Sequence, residues 1–147
     1  MAFPISIDGT LSLPKSHDVS GLSSSIVDAL NKASVISVST QGNTISFKAG
    51  MFRLVGNWNP LSSVGSGTIF ITDSEIKYHL NLKQMFVFAT LSMTLAFGLF
   101  MIDGGPIFVP PVGWLFFVGA GYVDALISFP SFLKNALRRA TLGSRLG

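Results

Sequence analysis

The sequence predicts an α+β amino-terminal domain, one helix on a five- or six-stranded antiparallel sheet, followed by a two-helix transmembrane hairpin. Three observations predict it. Short runs in the first half alternate apolar and polar residues with period two, and one stretch there repeats its apolar residues every three to four positions. Between Met85 and Val123 the only charged side chain is Asp103, whereas residues 1–84 carry Lys and Asp/Glu throughout. So sharp a break in composition reads as a change of solvent. The expected divisions are a soluble domain over 1–83, a hairpin over 84–129 with helices at about 85–102 and 108–128, and a basic amphipathic tail over 130–147.

In chain order, Phe3, Ile5, Ile7, Leu11 and Leu13 alternate as a half-buried strand, or as a hairpin bent at Asp8-Gly9, and Pro14 ends the run. Asp18 or Ser20 then caps a helix whose apolar face is Val19, Leu22, Ile26, Leu30 and Ala33, with Ser24, Ser25, Asp28 and Lys32 opposite. Val35–Ser39 and Thr44–Lys48 flank Gln41-Gly42-Asn43, whose Gly and Asn tolerate positive φ in a tight hairpin turn. Phe52–Val55 reads as another strand, broken by Asn57-Trp58-Asn59-Pro60. The clearest pair is Thr68–Ile71 and Ile76–Leu82 around Thr72-Asp73-Ser74.

Met85–Ile102 is charge-free and about 27 Å long as a helix, just enough for a hydrocarbon core of roughly 30 Å. Asp103-Gly104-Gly105-Pro106 makes a turn, and the second helix begins near Pro110, where proline is tolerated. Trp114 and Tyr122 sit near opposite ends of the second stretch, as interfacial aromatics do. A soluble hairpin is the rival reading, but a domain this small could hardly cover two helices that are apolar all round. Lys77 and Lys83 before the hairpin, with Lys134, Arg138 and Arg139 after it, place both termini in the cytoplasm. The expected location is a membrane of the bacterial inner-membrane kind, crossed by two spans. The amino terminus lacks the basic and apolar regions of a secretory signal, so the first domain is expected to stay where it is synthesised.

Residues 1–84 net only +1 of the formal charge of +3, so the basicity belongs to the tail, where Lys134, Arg138, Arg139 and Arg145 face no acid, and nucleic acid is not an expected partner. Absence of cysteine removes thiol chemistry and Cys-based metal sites. His17 and His79 are isolated, and His79 reads as a solvated strand residue, so neither a metal nor another cofactor is expected. Ser12-x-x-Lys15 and Ser131-x-x-Lys134 match a Ser–Lys spacing without its supporting motifs, and Gly65-Ser66-Gly67 opens no helix. No enzyme is expected.

The residues that read as contact groups lie in the hairpin and tail. Gly119 and Gly121 allow close helix approach, against the other helix or a partner. Phe97, Phe100, Phe116 and Phe117 offer aromatic surface to lipid or protein. Asp124 is either an intramembrane carboxylate or, the favoured reading, an interfacial partner for Lys83. Lys134, Arg138 and Arg139 line one side of a tail helix that would lie on anionic inner-leaflet lipids, dock an acidic partner, or serve only as a topology anchor. The plan fits a non-catalytic accessory or scaffold subunit of a larger membrane complex, such as a respiratory or photosynthetic one. The alternative is a membrane-tethered ligand-binding or sensor domain using the surface near Phe52, Trp58 and Phe70.

Overall fold

A computed structural model describes residues 5–13, 19–50, 61, 63–103 and 108–143. The elements are β1 (Ser6–Ser12), α1 (Val19–Lys32), β2 (Ser37–Gln41), β3 (Thr44–Lys48), β4 (Ser66–Ile71), β5 (Glu75–Asn81), α2 (Lys83–Asp103) and α3 (Val109–Gly143). The strands form one antiparallel sheet in the order β1-β5-β4-β3-β2, a meander from β2 to β5 with the first strand added beside the last. The α+β reading and the two long apolar helices are both present. The expected strand at Phe52–Val55 and the start signal Asp18 lie outside the described residues, as does the turn at 104–107, and Ser20 lies within α1 rather than ahead of it.

Alternation sorts each strand into a wet and a dry face. Ile7, Ile45, Phe47, Ile69, Ile71, Ile76 and Leu80 are buried on one side, while Asp8, Thr10, Lys77, His79, Thr68 and Phe70 lie exposed on the other. Two cross-strand pairs on the dry side set a glycine opposite an aromatic, Gly9 with Tyr78 and Gly67 with Phe47. Each ring leans over its glycine so closely that a Cβ there would collide with it. This leaves room for a third aromatic to pack against both rings.

That third ring comes from α3. The sequence predicts a helix ending near residue 128 and a separate tail starting at Pro130; instead one helix runs from Val109 through Pro130 to Gly143, about 52 Å. Pro130 has no N–H for the carbonyl of Leu126, so one link of the ladder is missing. Burial on both sides holds the helix together: Phe129 and Leu133 are fully enclosed. Phe129 stacks on Phe47 with ring centroids 6.1 Å apart and meets Tyr78 at a tilt of 57°, centroids 5.0 Å apart. Ala125, Phe129, Leu133 and Ala136 thus belong to the same core as the sheet and α1. Ser25, expected on the outer face of α1, instead points to α3 and donates to the Ala136 carbonyl at 3.0 Å.

α1 closes with two terminal bonds, Val35 N–H to the Leu30 carbonyl and Ser34 N–H to the Asn31 carbonyl, with Ser34 at φ 57°. This is a helix terminus that glycine fills best, because a Cβ in the left-handed region costs about 1 kcal/mol. Ser34→Gly should therefore raise stability by roughly 0.5 kcal/mol, part of the gain being offset by the freedom glycine adds to the unfolded chain. A higher unfolding midpoint in detergent checks this; a lower one would contradict the capping account.

Candidate functional site

The hairpin joins the sheet with almost no slack. β5 ends at Asn81 and α2 begins at Lys83, whose backbone N–H donates to the Asn81 side chain at 2.8 Å. Leu82 between them is fully buried, and its N–H donates to the Ile5 carbonyl at 2.8 Å. On the return, α3 passes from the hairpin into the core as one helix. The domain and the hairpin therefore share two stiff connections.

α2 and α3 pack antiparallel through small residues and aromatics. Met85 lies directly over Gly121, and Met93 comes within 3.5 Å of where a Gly113 Cβ would stand. Phe88 meets Phe117 edge-on at 6.4 Å. Trp114, expected as an interfacial aromatic, joins the two helices. Its indole N–H donates across the pair to the Thr90 hydroxyl at 3.2 Å, and its ring meets Phe86 edge-on at 5.5 Å. A buried or half-buried indole seeks such an acceptor.

Of the two glycines expected to mediate contact, only Gly121 faces α2. Nothing lies within 4 Å of a Cβ at Gly119, nor of one at Gly98 on α2. Gly121→Val should accordingly push the helices apart and lower the unfolding midpoint, by about 1–3 kcal/mol for an overpacked contact. Gly119→Val should leave the isolated chain unchanged, and equal losses at both positions would contradict this packing.

The outer surfaces of both helices are apolar. Phe97 is 39% exposed and Phe116 78%, so neither fills an interior. Phe100 is half-buried, and Phe117 keeps 45% of its surface open despite touching Phe88. Along α2, Leu91, Thr94, Leu95, Gly98, Leu99 and Ile102 line an open groove of about 470 Å³. The Thr94 hydroxyl donates to the Thr90 carbonyl at 2.8 Å, so the groove wall is almost wholly apolar.

Asp124 does not pair with Lys83. It accepts a hydrogen bond from the Ser128 hydroxyl, one helical turn on, at 2.7 Å. Lys134, Arg138 and Arg139 are exposed along the outer side of α3, and the opposite side, with Leu133 and Ala136, is in the domain core. A free amphipathic tail is thus not what the chain builds. Its apolar side is occupied because Pro130 fails to break the helix that carries it inward.

One arrangement was not legible from local sequence. β1 pairs with β5 so that Asp8 stands opposite His79, which in turn stands opposite Thr68 of β4. His79 Nδ1 and Asp8 Oδ1 are 2.6 Å apart. An acid, an imidazole and a hydroxyl in a row have the composition of a nucleophile relay. Here the side chains of His79 and Asp8 are 52% and 75% exposed on an open sheet face, where water competes for every bond. They make a surface pair. Ser131 of the other Ser–Lys match gives its hydroxyl to the Ile127 carbonyl at 2.9 Å, and Lys15 of the first lies outside the described residues. Among the described residues no three His, Cys, Asp or Glu side chains gather as metal ligands. No protein-family model, curated protein or solved structure matches the chain.

Proposed function

We propose that the chain is a membrane-anchored, non-catalytic accessory subunit, whose hairpin sits in lipid and whose domain braces a larger membrane assembly at the cytoplasmic surface. The observation that carries this reading is the exposure of the two apolar helices. Only 6% of the most apolar window of α2 is buried, and 17% of that of α3. The core helices of a soluble protein would show the opposite, because apolar surface on this scale does not stay in water. Lipid supplies the missing cover along most of both helices, and a partner's helices supply the rest, at the open groove of α2.

Rigidity supports the bracing role. A sensor tethered for reach would hang on a polar, glycine-rich linker; this domain is joined through Leu82 alone on one side and by an unbroken helix on the other. The ligand-binding alternative keeps only Phe70 among the described residues, on a flat sheet face between Lys77 and Thr44. The accessory reading is the stronger of the two. An energy-transducing complex is one assembly that such a subunit would suit.

Purification of the full chain from its native membrane in a mild detergent tests it. The expected result is stoichiometric co-purification with other integral membrane proteins, lost when Gly98 is replaced by leucine. A monodisperse single chain that retains its membrane location would sink the accessory role and leave the anchor.

A further inference from the structure

Ahead of α2, the described residues expose only three large hydrophobic side chains, Ile5, Ile36 and Phe70. Two of them stand at the same end of the sheet. Ile5 accepts the Leu82 N–H, one residue before α2 begins, and Ile36 donates to the Lys48 carbonyl at 2.8 Å. Lys48 is opposite Ser66, which is opposite Asn81, the last residue of β5. Ile5, Ile36, Lys48 and Lys83 therefore share the sheet end from which α2 departs.

We infer that this end of the domain is seated in the bilayer's own headgroup layer, with Ile5 and Ile36 reaching the acyl boundary and Lys48 and Lys83 meeting anionic lipid phosphates. The inference rests on the hairpin lying in lipid, as proposed above.

Length is the first argument. The charge-free part of α2, residues 84–102, rises only about 28 Å, slightly less than a hydrocarbon core of roughly 30 Å. A short span is accommodated by drawing flanking groups toward the bilayer. The exposed apolar surface of α3 continues in the same sense. Val123, Leu126 and Ile127 are 52%, 42% and 64% exposed, although Ala125 and Phe129 beside them are in the domain core. Ile127 lies about 9 Å of helix rise beyond Gly121, the residue packed against Met85 at the base of α2. An apolar collar thus extends past the hairpin and along the flank of the domain.

Charge is the second argument. Lys83 occupies the first turn of α2, where the helix dipole repels a cation and where no acid is present to offset it. Among the described residues no ion pair joins Lys83 or Lys48 to an acid, since the three pairs are Asp28–Lys32, Glu75–Lys77 and Asp8–His79. Asp73 and Glu75 lie at the opposite end of β5. Along β5 the charge is therefore graded, with unpaired Lys83 just past its bilayer end and Asp73 and Glu75 at the other, while the acids nearer the bilayer are engaged, Asp8 with His79 and Asp124 with Ser128. A basic residue at an anionic surface is attracted to the lipid phosphates.

The chain has no cysteine, so single cysteines can be placed without background. Ile5→Cys, Ile36→Cys, Asp73→Cys and Phe97→Cys variants of the full chain, each carrying an environment-sensitive fluorophore, are reconstituted into phosphatidylcholine–phosphatidylglycerol vesicles. Nitroxide lipids labelled at the headgroup or deep in the acyl chain act as quenchers. Headgroup nitroxides should quench positions 5 and 36 severalfold more than position 73, and deep nitroxides should quench position 97. Lys48→Glu combined with Lys83→Glu should roughly halve the headgroup quenching at position 36. Quenching at 5 and 36 no stronger than at 73, with 97 still reached by deep nitroxides, overturns the seating and leaves the anchor standing. Loss of quenching at 97 as well removes the membrane reading, and the seating falls with it.

Discussion

Phe129→Ala should unfold the amino-terminal domain while the hairpin stays helical. Phe129 is fully buried, stacks on Phe47 and packs at a tilt against Tyr78, with Phe132 at 6.0 Å on its own helix. Truncating such a ring removes its transfer free energy and leaves a void, together costing about 3–5 kcal/mol. A small domain has roughly 5–15 kcal/mol of stability in all. Collapse around the void is restricted here, because Gly9 and Gly67 beneath the rings offer no side chain to move in. Circular dichroism in detergent should show the sheet signal lost or melting far earlier, with the helical signal of α2 and most of α3 retained. A midpoint close to that of the unaltered chain would mean that α3 does not complete the core. A fragment ending at residue 83 lacks Phe129, Leu133 and Ala136 altogether, and the same reasoning expects it not to fold.

Tyr78 gives this packing a second readout. Burial pushes its hydroxyl above the ordinary value of 10.0. The ionised form is disfavoured in the fold and unhindered in the unfolded chain, so the contribution is complete below pH 10 and lost as pH rises past it. In a Tyr122→Phe background, where Tyr78 is the remaining tyrosine, absorbance titration should find its pKa moved back toward 10 by Phe129→Ala.

The parts of the fold that were legible are those written in local periods. Ile76, Tyr78, Leu80 against Lys77, His79, Asn81 can only be a half-buried strand, and Leu22, Ile26, Leu30 can only be one side of a helix. Gly42, at φ 56°, turns the β2–β3 hairpin where Gly and Asn signal it. What remained hidden depends on residues distant in the chain. Asp8 meets His79 only because β1 adds beside β5, a choice no local pattern dictates. Asp124 turned to Ser128 rather than Lys83, since a partner one turn away on its own helix needs no second element to bring it near. The path of α3 was written in the sequence but masked by Pro130: Ala125, Phe129, Leu133, Ala136 and Ala140 keep helical spacing across the proline. Propensity argued for a break, and burial in the shared core outweighed it. That burial also puts Lys134, Arg138 and Arg139 on the outer flank of α3 rather than on a free tail.

Phe116→Arg and Leu95→Arg should each abolish stable membrane integration. These two positions separate protein from lipid as the source of apolar demand. Phe116 is 78% exposed and Leu95 69%, so the chain itself makes little use of either side chain. In water, exchanging such a residue for arginine changes folding stability by about 0.5 kcal/mol or less. In lipid the same change places a guanidinium near the middle of a short span, at roughly 2.5–3.5 kcal/mol per residue on insertion scales. Snorkelling gives little relief, because α2 is near the minimum length and the domain holds one end of each helix in place. The two solvents therefore predict opposite results from one substitution. Carbonate washing of membranes expressing the full chain should leave the unaltered protein in the pellet and release a large part of each arginine variant. Asp73→Arg, on the far end of the sheet, should remain with the pellet. If the arginine variants stay integrated and melt at the same temperature, the surfaces of α2 and α3 face neither lipid nor a partner's core, and the anchor role has no physical basis.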